Sequence, residues 1–181
     1  MMNGERNLRH LTVIIDRGLY FPEFIPNAEK LRSVVTFGVG SGDCDALSEK
    51  AMCNLFNQAR RFRLVDVWMA GYHGSTIPKE IRNLLHLRHL NLGQSTNLKK
   101  LPKALFRLHN LKHLDLYFCS NLERVPDEIK NLVNLRVLRT TGCLKLASYP
   151  KGVVRLTRPT QLLGLIARVD RDDPRSLALE I

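Results

Sequence analysis

Along this chain the same order of apolar and polar residues returns every 24 positions. Leu84, Leu108, Leu132 and Leu156 keep that step, as do Leu87, Leu111 and Leu135, and then Leu90, Leu114, Leu138 and Leu162. Pro78, Pro102, Pro126 and Pro150 follow it, and so do Ile81, Leu105, Ile129 and Val153. Each unit runs leucine-x-x-leucine-x-leucine, then a small residue (Ser95, Cys119, Cys143), then Leu98, Leu122 or Leu146, then an apolar residue and proline. The x-Leu-x-Leu-x stretch has the period of two that predicts a short strand with its leucines on one face. After each proline the pattern predicts a looser return segment burying Ile81, Leu105, Ile129 or Val153. One unit cannot cover its own apolar face, so neighbours must stack, with parallel strands about 4.8 Å apart.

Upstream the pattern loosens but keeps its frame. Phe62, Val65 and Val67 fit it one residue out of step, which implies a one-residue insertion before Pro78. Leu31, Val34 and Thr36 form an earlier frame, and Leu8, Leu11 and Val13 the earliest. Between them, Asp45 to Arg60 has helical apolar spacing (Leu47, Met52, Leu55, Phe56), with Asp43 or Asp45 available as a cap. The chain thus divides into degenerate N-terminal repeats with one helix (1–61), regular repeats of period 24 (62–166) and a polar end that reads as truncated (167–181). Six or seven units are expected. A period between about 20 and 29 residues with this consensus is the leucine-rich repeat pattern. The predicted fold is an α/β solenoid, with parallel strands on the concave face and irregular or short helical segments on the convex side.

Composition narrows the class. With 44% hydrophobic and 25% charged residues the chain is ordinary globular material, which excludes intrinsic disorder. The longest apolar runs, Val13 to Ile15 and Leu162 to Ala167, fall far short of the about 20 residues that span a bilayer, and the opening residues carry no secretory apolar stretch. A cytoplasmic location follows as an expectation, with the nucleus as the alternative and the four cysteines reduced. The net charge of +11 is not spread evenly. Residues 1–60 carry seven basic and seven acidic groups, whereas residues 61–167 carry 18 and six. The basicity is therefore a property of the regular repeat surface.

Four stretches resemble a particular group: NLRHLTV at 7–13, FRLVDV at 62–67, IPKEIRNLLHLRHLNL at 77–92 and LHNLKHLDLYFCSNLERVPDEI at 108–129. They are similar to the leucine-rich repeat region of plant intracellular nucleotide-binding leucine-rich repeat disease resistance proteins, of the coiled-coil class. The likeness covers roughly residues 7–166 and includes the order of degenerate, then regular, units. It implies a recognition and autoinhibition module that folds against a nucleotide-binding switch and senses pathogen effectors or guarded host proteins. The phosphate-binding GlyxxxxGlyLys[Ser/Thr] loop of the switch is absent from these residues, so nucleotide switching is not carried over.

No catalytic constellation emerges, and neither cofactor nor metal is expected. Gly38, Gly40 and Gly42 follow an apolar run, but a dinucleotide fingerprint needs a third glycine where Asp43 stands, and Asp43 would place a negative charge beside pyrophosphate. Cys119 and Cys143 fall where the chain turns inward and read as structural thiols satisfying backbone groups. Cys44 and Cys53 have no pattern. His89 and His113 occupy equivalent positions and should be neighbours; a third ligand column is missing, so a solvated pair is expected rather than a metal site.

The solvent-facing strand positions make the candidate protein-binding surface: His89, Asn91, Gln94, His113, Asp115, Tyr117, Phe118, Arg139 and Thr141. Tyr117 and Phe118 are the expected anchors, with Phe118 equally able to tuck into the core; Trp68 and Met69 could extend the patch. A basic flank adds Arg88, Lys112 and Arg136 in one repeat column, and Arg82, Arg107, Lys130 and Arg155 in the turn before the strand. Like charges in register cost a sheet stability, which points to an acidic partner surface. The expected partner is a protein: a pathogen effector, a guarded host protein or an acidic nucleotide-binding domain. A general interaction scaffold outside immunity is the alternative reading. Nucleic acid is disfavoured because aromatic stacking residues are few.

Overall fold

A computed structural model describes residues 8–15, 20–38, 47–147 and 161–163. Seven strands, β1 (His10–Ile15), β2 (Ser33–Gly38), β3 (Leu64–Asp66), β4 (His89–Asn91), β5 (His113–Asp115), β6 (Val137–Arg139) and β7 (Gln161–Leu163), form one parallel sheet in chain order. Their register aligns Leu11, Val34, Val65, Leu90, Leu114 and Leu138 across the sheet, the middle residue of each predicted frame. A one-residue slip would carry these side chains to the solvent face, so burial itself holds the register.

The core lies behind this sheet. Val34, Val65, Leu87, Leu111 and Leu114 are fully buried, and Ile81, Leu105 and Ile129 meet them from the return segments. Those segments are 3-10 turns at Lys79–Asn83, Lys103–Arg107 and Asp127–Asn131, each starting directly after its proline. The backbone N–H groups of Leu84, Leu108 and Leu132 close them on the carbonyls of Ile81, Leu105 and Ile129 at 3.0, 3.1 and 3.0 Å. Five residues are too few for a stable α-helix, and the tighter 3-10 geometry suits a short return.

One return is a helix, with boundaries that differ from the sequence expectation. The helix α1 spans Glu49–Gln58, and its N-cap is Ser48, whose hydroxyl accepts the Ala51 N–H at 3.1 Å, rather than Asp43 or Asp45. Leu47 lies outside it, in a parallel bridge to Tyr72, which requires extended backbone and so delays the first turn. Ala51, Met52, Leu55 and Phe56 form its buried face.

Units are also stitched by side chains. Asn110 and Asn134 donate to the carbonyls of Leu85 and His109 at 2.9 and 2.8 Å, and Asn121 donates to Thr96 at 2.7 Å. Cys119 and Cys143 donate to the carbonyls of Leu92 and Leu116 at 3.3 and 3.2 Å, as expected of structural thiols. Ser95 does not follow them: its hydroxyl is buried without a partner among the described residues. The fourth regular unit around Pro150, Val153 and Leu156, the glycine-rich stretch after Gly38 with Cys44, and the polar end from 167 lie outside the described residues.

A central leucine should matter far more than a surface one. Leu114→Ala is expected to lower unfolding stability by about 3 kcal/mol, and Leu85→Ala, at an exposed position, by less than about 0.5 kcal/mol. Urea titration followed by circular dichroism measures both.

Candidate functional site

Alternation along β4, β5 and β6 leaves two side-chain columns on the concave face. One holds His89, His113 and Val137, the other Asn91, Asp115 and Arg139. The His89 and His113 rings meet edge to face, 4.3 Å between centroids. Burial, then the neighbouring His113, Lys112 and Arg88, hold the His89 pKa below its ordinary value. Among the described residues no group of three or more His, Cys, Asp or Glu side chains is placed to hold a metal.

The second column shapes the turns that follow the strands. Asp66 accepts the Trp68 N–H at 3.2 Å, Asn91 accepts the Gly93 N–H at 3.0 Å and Asp115 accepts the Tyr117 N–H at 2.8 Å. These are Asx turns, in which a short side chain caps its own backbone two residues on. Their second polar atoms are engaged as well: Asn91 donates to Asp66 at 3.1 Å, and Arg139 donates to Asp115 at 3.4 Å. Asn91 thus shapes the loop that carries Gly93 and Gln94, and Asp115 the loop that carries Tyr117 and Phe118. Arg139 cannot accept an amide, so the column ends with it. Its guanidinium lies 4.0 Å from the centroid of the Tyr117 ring.

Tyr117 and Phe118 stand 4.6 Å apart at a tilt of 57°. Of the two placements open to Phe118, the structure takes the exposed one, with 46% of its surface accessible. Its backbone adopts φ +55°, as Gln94 does at φ +60° and Gly142 at φ +82° in the equivalent positions. A phenylalanine there is strained by about 1 to 3 kcal/mol, and such strain concentrates at functional sites. The ring rests over Gly142, where an added Cβ would come 2.6 Å from Phe118 Cδ2. Gln94 is exposed, and Thr141 is half-buried with its carbonyl accepting the Phe118 N–H at 2.8 Å.

The basic flank resolves into two lines. Arg82, Arg107 and Lys130 lie in the last turn of the 3-10 segments on the return side, while Arg155 lies outside the described residues. Arg88, Lys112 and Arg136 open the strands, each through backbone hydrogen bonds to the previous rung. The same bonds extend this column to Arg63, Arg32 and Arg9, which the sequence reading missed. Carrying the repeat frame back one residue past Phe62, Leu31 and Leu8 would have found all three. Asp66 was missed for the same reason.

A family model described as leucine-rich repeat region matches residues 30–177. None of the curated proteins matches the chain significantly. Among solved structures, the leucine-rich repeat domain of the type III effector XopL shares 18% identity at a TM-score of 0.48, over 87% of this chain and 69% of that one. A leucine-rich repeat protein of Leptospira interrogans shares 20% at 0.41, over 87% and 48%. The ectodomain of a plant membrane receptor kinase from Arabidopsis thaliana, in complex with Casparian strip integrity factor 2, shares 19% at 0.45, over 85% and 20%.

Two outcomes test this geometry. Gly142→Ala should destabilise by about 1 to 2 kcal/mol, and in a Phe118→Ala background the penalty should shrink, because only the backbone strain is then left; a double-mutant cycle by denaturant unfolding reads this. The depressed His89 pKa means that the unfolded chain takes this proton first. Its contribution to stability is therefore whole above the unfolded value and declines as pH falls through about 6.5 toward the folded one. His89→Gln should lose less stability than the wild type between pH 7.5 and 5 in thermal unfolding.

Proposed function

The chain belongs to the leucine-rich repeat region family, whose repeats serve as protein-interaction scaffolds, and from that premise we propose that it is the recognition module of a plant intracellular immune receptor. In this reading it recognises a pathogen effector or a guarded host protein, or contacts an acidic nucleotide-binding domain, and it works in the cytosol or nucleus. The observation that carries the proposal is the cluster of Tyr117, Phe118 and Arg139 on the concave face. Two aromatic rings and a guanidinium stand together there, held by Asp115 and by the left-handed turn that the repeat places at this position. Tyrosine and arginine dominate interface hot spots, because each adds large, stiff contact area and directional hydrogen bonding.

Two further features support the reading. The four stretches quoted above share the ordering of the plant immune receptors, including degenerate units before regular ones. Cys53, Cys119 and Cys143 are free thiols, and burial pushes the Cys143 pKa up to about 11 and raises that of Cys119 further, so neither has the thiolate character of a nucleophile.

The test is affinity capture from plant tissue with the purified chain, comparing wild type with a Tyr117→Ala, Phe118→Ala, Arg139→Ala variant that keeps its circular dichroism spectrum. The expected result is a protein partner whose retention falls at least tenfold in the variant. Equal retention by both chains would move recognition off the concave face, and a partner unconnected with defence would favour a general scaffold.

A further inference from the structure

The concave sheet carries two tracks at right angles to its strands. The first is the column of Arg9, Arg32, Arg63, Arg88, Lys112 and Arg136, joined rung to rung by backbone hydrogen bonds of 2.6 to 3.2 Å. At about 4.8 Å per rung it runs about 24 Å. None of these six cations has an ion-pair partner among the described residues. The second track lies toward the other end of the strands. Ile14 pairs with Phe37; beyond the end of β3, Trp68 opens a 3-10 turn that packs against β2, and its ring lies beside Gly93. Ile14, Phe37 and Trp68 are 63%, 58% and 38% exposed. Gly93 leaves room for its neighbour: a Cβ there would stand 3.0 Å from Trp68 Cδ1.

We propose that the N-terminal half of this face binds single-stranded nucleic acid, its backbone along the cation column and its bases on the Phe37–Trp68 track. The scarcity of aromatic residues argued against nucleic acid in the sequence. In the folded chain two exposed rings, Phe37 and Trp68, lie on the same face as the cations, and single-strand binding uses a basic groove beside stacking rings. Five of the six rungs are arginine, whose planar guanidinium grips phosphate with paired hydrogen bonds. Phe37 and Trp68 keep exposed ring surface, and stacking on a ring tolerates any base. Of the carboxylates between the tracks, Asp66 holds the Trp68 amide and Asn91, and Asp115 holds the Tyr117 amide and Arg139. This inference goes beyond the protein-recognition reading and rests on different residues, so Tyr117, Phe118 and Arg139 stay untouched in its test.

Trp68 is the single tryptophan of the chain, so its fluorescence reports stacking directly. The probe is a twelve-residue oligothymidine, with a glutamate oligopeptide of equal charge as the competing class. Expected are quenching of Trp68 by the oligonucleotide and not by the peptide, and at least tenfold tighter binding of the oligonucleotide. With four phosphates neutralised by Arg9, Arg32, Arg63 and Arg88, the log–log salt slope should be about −3. Arg32→Gln with Arg63→Gln should flatten that slope by about 1.4. Phe37→Ala should weaken oligothymidine binding at least fivefold and leave the slope unchanged. Equal binding of the glutamate peptide, unchanged affinity in Phe37→Ala, or no binding at low salt would each overturn the proposal, the first in favour of an acidic protein partner. Each variant is checked for folding by circular dichroism.

Discussion

The structure depends on one constraint: every strand must pair in parallel with the next, in a register that keeps its leucines inside. A parallel pair cannot be closed by a tight hairpin, so the chain has to return behind the sheet within each unit. That return supplies the second apolar layer, from Ile81, Leu105 and Ile129. Because each unit contacts chiefly its neighbours, stability is close to a sum of unit and interface terms, and a side chain in one unit always faces its equivalent in the next.

Columns follow from this, and with them both the virtues and the costs of the surface. Equivalent asparagines become staples, Asn110 and Asn134 each donating to the preceding unit, because one geometry repeats. Equivalent aspartates and asparagines become turn caps at Asp66, Asn91 and Asp115. Equivalent cations become a ladder of like charges that the sheet must tolerate. Where the consensus fails, the consequences are local: Ser95 keeps the position of Cys119 and Cys143 but leaves its hydroxyl unpartnered, and Arg139 ends the capping column and turns to Asp115 and Tyr117 instead.

The exposed features collect where the columns are irregular. Phe118 occupies a left-handed position that a glycine fills in the next unit, and its ring lies over that glycine. Trp68 leans over Gly93 in the same fashion. In both places a large ring is stabilised by a missing side chain next door, which neither residue could achieve in a fully regular array. Such rings are held in place yet keep exposed surface, which suits a contact made with little loss of side-chain freedom.

Much of the fold was legible because leucine spacing is a burial requirement, and burial is written residue by residue: the strands, their order, the prolines before the return turns and the frames at Val65, Val34 and Leu11 were all readable in the chain. The helix start was not, because the bridge between Leu47 and Tyr72 competes with the first helical turn. Nor was the choice of Phe118 between core and solvent, which its left-handed backbone and Gly142 decided. The regular period shows the cation column only from Arg88 onward. Arg9, Arg32 and Arg63 sit at unequal sequence distances, each one residue after the first apolar residue of its frame, and strand pairing brings them into line with Arg88. Repetition determined the architecture from sequence alone, because each unit restates the same apolar demand. The surface was decided by tertiary structure, because proximity between units depends on register, and register is a property of the assembled sheet.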